Sequence, residues 1–343
     1  MTLSHLFRLS KTAPHNKSEG GERIKADSAH FPILKGMSLY KLLLRPNGVR
    51  EPHWHVNADE FGYCLEGQVL VTFYHTGDNR QVFLVQKGDA FWIPTGALHT
   101  LENVGNEQAE LLLEFSHESP EEFHLSTAMG MFSNEVLGNT WHVSADHFQK
   151  LHRPLKDRFA LLHSGSRPIP EEAFYPNPYR YSLEASGPFL DKTDGSVRIA
   201  RHNVWNTLKD HSLYSLRITT EGMREPHWHP DTAELGFVHQ GHARMTILNP
   251  KGESQTYHLE AGDLYFIPKA YPHNIENVGK DPLHFLIYFD QPMPGDVGFT
   301  GSIRTLPDEV LGSLFHVEAP FFTKLQKYYV DQFIVEKINT ADP

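Results

Sequence analysis

The sequence predicts an all-β protein in two tandem halves, each an antiparallel sandwich or barrel of short strands followed by helices. Three observations carry this. Arg50-Glu-Pro-His-Trp-His55 recurs unchanged as Arg224-Glu-Pro-His-Trp-His229, 174 residues later (227 − 53 = 174, counted at the first His). The pattern between such landmarks has period two, and turn residues break it into short runs.

The offset holds without insertion through Gly67/Gly241, Asp89/Asp263, Pro94/Pro268, His99/His273, Asn103/Asn277 and Phe115/Phe289. It extends outward to Ser38-Leu-Tyr40/Ser212-Leu-Tyr214 and to Glu135-Val-Leu-Gly138/Glu309-Val-Leu-Gly312. An internal duplication of this length makes each half a domain. A chain of 343 residues agrees, since about 150 residues per domain is the usual size. The expected division is residues 1–29 as an N-terminal arm, 30–152 as domain one, 153–190 as linker and entry to the second half, and 191–343 as domain two. Pro and Gly enrichment between Pro154 and Pro188, as in Tyr175-Pro-Asn-Pro178, marks the linker.

Within the first half Phe61, Tyr63 and Leu65 alternate with other residues, as do Val69, Val71 and Phe73, and Gln86-Lys-Gly-Asp89 punctuates them. Many short strands of this kind imply a sandwich or barrel. Helical character is expected only later, over Asn134–Leu151 and Pro307–Tyr329, where Pro307-Asp-Glu-Val provides a start with acidic residues in the first turn.

The composition excludes some functions. A net charge of −11 with no run of Lys and Arg argues against a nucleic-acid surface. An anionic substrate would therefore need a local positive centre. The lone cysteine, Cys64, excludes an intrachain disulfide and reads as a core thiol in a predicted strand. The N-terminus lacks the apolar stretch of a secretory signal, and nowhere do eighteen apolar residues run together. The expectation is a soluble, cytoplasmic protein with no membrane and no nucleic-acid partner.

Strand geometry turns the repeated motif into a metal site. Residues i and i+2 share a face, so His53 with His55, and His227 with His229, each aim two imidazoles at one point. Glu60 and Glu234 follow five residues later, and His99 and His273 stand at equivalent places after a tight turn. Three imidazoles and one carboxylate leave open positions on an octahedral ion, which suits manganese or iron. With 23 histidines a stray His-x-His pair is unremarkable, but only two occur and both fall at the same register of the repeat.

Gly48 through Gly67 and Gly88 through Asn103 resemble the two motifs of the cupin superfamily, and the second half repeats both, with Ala270 where Gly is usual. The whole chain, with an Arg three residues before each His-x-His and a Trp inside it, resembles the bicupins of the oxalate decarboxylase family. The resemblance implies two tandem cupin (double-stranded β-helix or jelly-roll) barrels, each binding manganese. The ligands it implies are His53, His55, Glu60 and His99 in one half and His227, His229, Glu234 and His273 in the other, with Arg50 and Arg224 binding substrate. For the arginines the plainer alternative is an ion pair with Glu51 or Glu225 beside them, and the odd spacing from Arg50 to His53 leaves the arginine's direction to the local turn.

The same resemblance implies a reaction in which manganese and dioxygen take one electron from oxalate, carbon dioxide leaves, and a positioned acid protonates the remainder to formate; without that acid, peroxide forms. The bacterial decarboxylases carry a Ser-Glu-Asn-Ser-Thr lid after the equivalent of Phe115, which this chain lacks. Glu118, Glu121 and Glu122 in Ser116-His-Glu-Ser-Pro-Glu-Glu-Phe123 are the candidate acids. The second half has no Glu in the matching stretch, Phe289 to Asp296, and carries Ile287 and Pro294 where the family places a Glu and a Tyr, so the second site is expected to lack an acid. Three function classes stay open: an enzyme acting on oxalate or a related small carboxylate, a non-catalytic metal- and ligand-binding bicupin, and a cupin dioxygenase with another substrate. Homo-oligomerisation through strand edges or C-terminal helices is a further expectation.

Overall fold

A computed structural model describes residues 4–77, 79–163, 165, 168–318, 320–326 and 328–339; Ala319 and Lys327 of the second helical stretch, and Ser164, Ser166 and Arg167 of the linker, lie outside them. The chain divides into two compact units: Thr12–Ala185, and Ser186–Pro343 together with Met1–Lys11.

In the unit Thr12–Ala185, one antiparallel sheet runs in the order Arg180–Tyr181, Ala90–Ile93, Glu60–Glu66, Ala109–Phe115, Ser38–Leu44, Gly21–Ala26 and Asn16–Lys17. The other runs Glu122–His124, Gly48–His55, Leu98–Asn103, Gln68–His75 and Asn79–Gln86, and Ala160–Leu162 also pairs with Gly48–His55. Alternation places Leu42, Leu111, Leu113 and Phe115 of the first sheet and Val69, Val71, Phe73 and Leu101 of the second in one buried cluster. Each such side chain contributes roughly 1.5–3 kcal/mol by leaving water. Gly62 lies under the Phe91 ring, where a β-carbon would come within 2.0 Å of Cζ, so only glycine allows the two strands to carry that ring inward.

The second unit repeats this plan. Its sheets run Leu6–Phe7, Leu264–Ile267, Glu234–Gln240, Leu283–Phe289, Ser212–Ile218, Gly195–Ala200, Leu190–Lys192, and Ser254–Glu260, His242–Leu248, His273–Asn277, Gly222–Trp228, Val297–Gly298, with Ile334–Glu336 also on Gly222–Trp228. Gly236 accommodates the Tyr265 ring as Gly62 does Phe91. Leu6 pairs with Tyr265 and Arg180 with Phe91, partners that are themselves one repeat apart (180 − 6 = 174; 265 − 91 = 174).

The described part of the expected N-terminal arm, residues 4–29, is therefore not apart from the domains. Gly21–Ala26 pairs along its whole length with Ser38–Leu44, and Leu6–Phe7 belongs to the second unit's sheet. The stretch Glu22-Arg-Ile-Lys-Ala26 hides its strand character because Arg23 points inward yet is charged. Residues 153–190 likewise include two short strands of the first unit's sheets.

The helical stretches are shorter than the sequence suggests. Asn134–Trp141 and Asp308–Phe315 are each capped at the C-terminus by a left-handed residue, His142 (φ 55°) and His316 (φ 55°), which separates the helix from a second short one, Ala145–Lys150 or Pro320–Thr323. Ser133 caps the first by accepting from Val136 N, while Pro307 is the N-cap residue of the second, with Asp308 and Glu309 in its first turn.

Candidate metal centres

In each half the strand carrying His-Trp-His contains a bulge that solves the odd spacing to the arginine. On the partner strand His99 stands opposite His53 and Leu101 opposite Arg50, so three steps on one strand match two on the other. The extra residue, at Glu51-Pro52, turns Arg50 to the face that carries His53 and His55. Arg224 and His227 face Ile275 and His273 with the same shift. Glu51 points away and accepts from Ser126 Oγ and, at 2.6 Å, from Arg158 N, so it does not pair with Arg50. Glu225 binds Phe333 N at 2.7 Å and Thr300 N at 3.0 Å.

The four side chains of each set are buried, and their ligand atoms lie within 4.8 Å of one another. Backbone carbonyls fix the imidazoles: Nδ1 of His53 lies 2.7 Å from Glu51 O and Nδ1 of His99 lies 2.8 Å from Ala97 O. A carbonyl only accepts, so each Nδ1 carries the proton and each Nε2 presents its lone pair to the centre. In the second half Nδ1 of His227, His229 and His273 meets Glu225 O (2.7 Å), Gly295 O (2.8 Å) and Tyr271 O (2.9 Å).

The electrostatics favour the form a cation needs at His53, His227 and Glu60, whereas for His229 burial lowers the pKa but Glu234 more than offsets it and raises it. Burial, helped by the Arg50 charge, holds His53 well below the ordinary histidine range, and burial with Arg224 does the same for His227. For Glu60 burial raises the pKa, but the adjacent imidazoles of His99 and His55 outweigh it and bring it to about 2. Glu60 Oε1 and the Nε2 atoms of His99 and His273 are buried without hydrogen-bond partners. Buried polar atoms left in that state are costly. Three imidazoles and a carboxylate converging on one point therefore fit a divalent cation in each half.

Of the three candidate acids, the structure brings one to the site. Glu122 pairs opposite His55 and His124 opposite His53 on the adjacent strand, so both face inward, while Phe123 faces outward against Trp54. Glu122 Oε2 accepts from Arg50 Nη2 at 2.7 Å and lies 3.8 Å from His53 Nε2. Arg23 adds bonds of 3.1 and 2.8 Å to the two oxygens. Burial opposes the charge on Glu122, but Arg50, a hydrogen bond to His124 and Arg23 hold its pKa well below the usual carboxylate range. Glu121 is exposed, and Glu118 is turned to Gly36 N at 2.9 Å.

The expectation that the second half lacks an acid is overturned. Asp296, one repeat after Glu122 (296 − 122 = 174), hydrogen-bonds Arg224. Sequence reasoning passed over it because it stands at the end of a loop stretch and is one methylene shorter. The halves nonetheless differ: Val197 replaces Arg23 and Gly298 replaces His124 at the same offset, and Ile287 borders the second site's cavity.

Two further residues escaped the sequence. Phe159 and Phe333 are left-handed (φ 59° and 65°), and their carbonyls accept from Arg50 Nη1 (2.9 Å) and Arg224 Nη1 (2.8 Å). Their rings stack on the same guanidiniums, with centroids 5.1 and 3.7 Å away. A non-glycine residue in this conformation stores strain that the surrounding contacts must hold. Only the identical offset of two aromatics hints at the role.

Fold and site together define a two-domain β-sandwich protein with one His-His-Glu-His set per domain. The Cupin family model matches residues 7–149 and 181–320, and the chain belongs to that family, as a bicupin of the oxalate decarboxylase type. It is 29% identical over 339 residues to oxalate decarboxylase OxdC of Bacillus subtilis (strain 168), covering 95% of this chain and 86% of that one. An oxalate decarboxylase of Arthroderma benhamiae is 24% identical over 358 residues, covering 95% and 82%. The structure of the Bacillus subtilis oxalate decarboxylase at pH 4.6 superposes with a TM-score of 0.87 at 25% identity, covering 98% of this chain and 88% of that one. Another structure of that enzyme, studied for its Mn(II) centres, gives the same TM-score of 0.87.

Proposed function

We propose that this bicupin is a manganese-dependent enzyme that cleaves oxalate or a related small carboxylate with dioxygen, and that the first half is the site of turnover. The observation that carries this reading is the guanidinium of Arg50, buried beside the three imidazoles and Glu60 with a movable carboxylate as its present partner. The name of the Bacillus subtilis relative and the Mn(II) centres of its structure support it. His53, His55, Glu60 and His99, and their counterparts His227, His229, Glu234 and His273, would hold the metal. Manganese with dioxygen would supply the one-electron chemistry that breaking a bond between two carboxyl carbons requires.

The chain's own residues supply binding and the proton. A substrate carboxylate that takes the Nη2 edge of Arg50 displaces Oε2 of Glu122, while Arg23 Nη2 keeps Oε1 tethered at 2.8 Å. Having lost one cation and gained an anionic neighbour, Glu122 binds a proton more tightly than in the resting site. It then stands beside the substrate as a general acid, and protonating the carbon left after carbon dioxide departs yields formate once the electron that manganese and dioxygen would take up is given back. Asp296 has no counterpart of Arg23 to tether it, because Val197 stands there.

The test is an aerobic oxalate assay on manganese-loaded protein that separates formate from peroxide. Formate as the main product supports the reading, and a parent protein that releases neither product overturns it.

A further inference from the structure

The two ligand sets differ at two places: Nδ1 of His229 meets Gly295 O where Nδ1 of His55 is buried without a partner, and the group behind the glutamate is not the same. In the second half the Tyr265 hydroxyl donates to Glu234 Oε1 at 2.6 Å, while Oε2 of the same carboxylate faces His229 (2.9 Å) and His273 (3.4 Å). In the first half Oε2 of Glu60 faces His55 (3.2 Å) and His99 (3.3 Å) in the same way, but Phe91 stands in place of Tyr265, and Oε1 is buried with no hydrogen-bond partner. Each ring lies over its glycine, Gly62 or Gly236, so the aromatic is fixed in place and the difference reduces to one hydroxyl.

We propose that Tyr265 is a positioning residue that makes the two metal centres unequal. By engaging Oε1 it holds Glu234 to a single oxygen donor, whereas the unrestrained Oε1 of Glu60 is free to swing in as a second donor. A hydrogen bond to the outer oxygen fixes the carboxylate's orientation and withdraws electron density from the inner one. The second centre thus has a rigid, weakly donating carboxylate and the first an adjustable, electron-rich one. An ion that must change its charge during turnover is better served by the adjustable donor, which assigns the redox work to the first half. This rests on the metal-binding reading above.

Manganese(II) binding and its electron paramagnetic resonance decide the matter without any assay of activity. The second site is isolated in a His53→Ala/His55→Ala background and the first in a His227→Ala/His229→Ala background. Tyr265→Phe should move the zero-field splitting of manganese at the second site toward that of the first. Phe91→Tyr should move the first site's splitting toward that of the second, so the pair remains informative if either variant folds poorly. Unchanged splitting in both variants overturns the proposal while leaving the metal sites intact. No manganese bound by either parent site overturns the metal reading and this proposal together.

Discussion

Arg50 and Glu122 meet at 2.7 Å inside the first half, and the same two positions one repeat later are Arg224 and Asp296, which also form an ion pair. Each arginine thus carries an internal carboxylate, so under the proposed function substrate binding would be an exchange of partners and not the filling of a bare positive site.

This pairing changes what replacing the arginines should do. Arg50 is 2% exposed and Arg224 is 3% exposed, and each holds a strand through a backbone carbonyl as well as its acid. Arg50→Lys and Arg224→Lys keep the charge but lose the fork, and each should lower stability by about 1–3 kcal/mol. Urea unfolding of metal-free protein measures this. Arg50→Lys should also raise KM and lower kcat on oxalate, whereas an unchanged KM would remove Arg50 from the substrate site.

Two separate ligand sets predict separate metals. The His53→Ala/His55→Ala variant should retain about one metal per chain and the parent about two. Elemental analysis of purified protein gives the number, and two metals retained in the variant would contradict the assignment.

Replacing Glu122 by Gln keeps its shape and removes the ionisable acid, so the ratio of formate to peroxide should fall at least several-fold. Glu118→Gln and Glu121→Gln should leave that ratio unchanged, since one carboxylate is turned to Gly36 N and the other residue is exposed. An unchanged ratio in Glu122→Gln would transfer the proton step to another group.

Cys64 should be inert in the folded chain. Burial, with Asp89 and Glu66 nearby, pushes its thiol up to about 12. At pH 8 the thiolate is then only about one part in ten thousand, and the thiolate is the reactive form. Iodoacetamide at that pH should label urea-unfolded protein rapidly and native protein at a negligible rate, and equal rates would place the thiol at the surface.

Much of the architecture was legible because a duplication is visible in one sequence. The repeated hexapeptide, the five-residue step to Glu60 and the offset of His99 gave both ligand sets, since strand period two dictates which side chains converge. The resemblance carried the same residues toward manganese. The arginines were legible as residues but not as directions, because the bulge at Glu51-Pro52 is set by pairing with a distant strand.

What the sequence by itself determined, then, was everything that depends on local period and on the repeat: two halves, short strands, and eight candidate ligand positions. Only the tertiary structure decided which acid faces the site, that Arg23 of an unpromising polar stretch reaches Glu122, and that a hydroxyl meets Glu234 where Phe91 leaves Glu60 Oε1 without one. These contacts join residues from about 30 to 100 positions apart. The physical reason is that a strand presents two faces, and which face looks inward is fixed by its register against neighbours elsewhere in the chain.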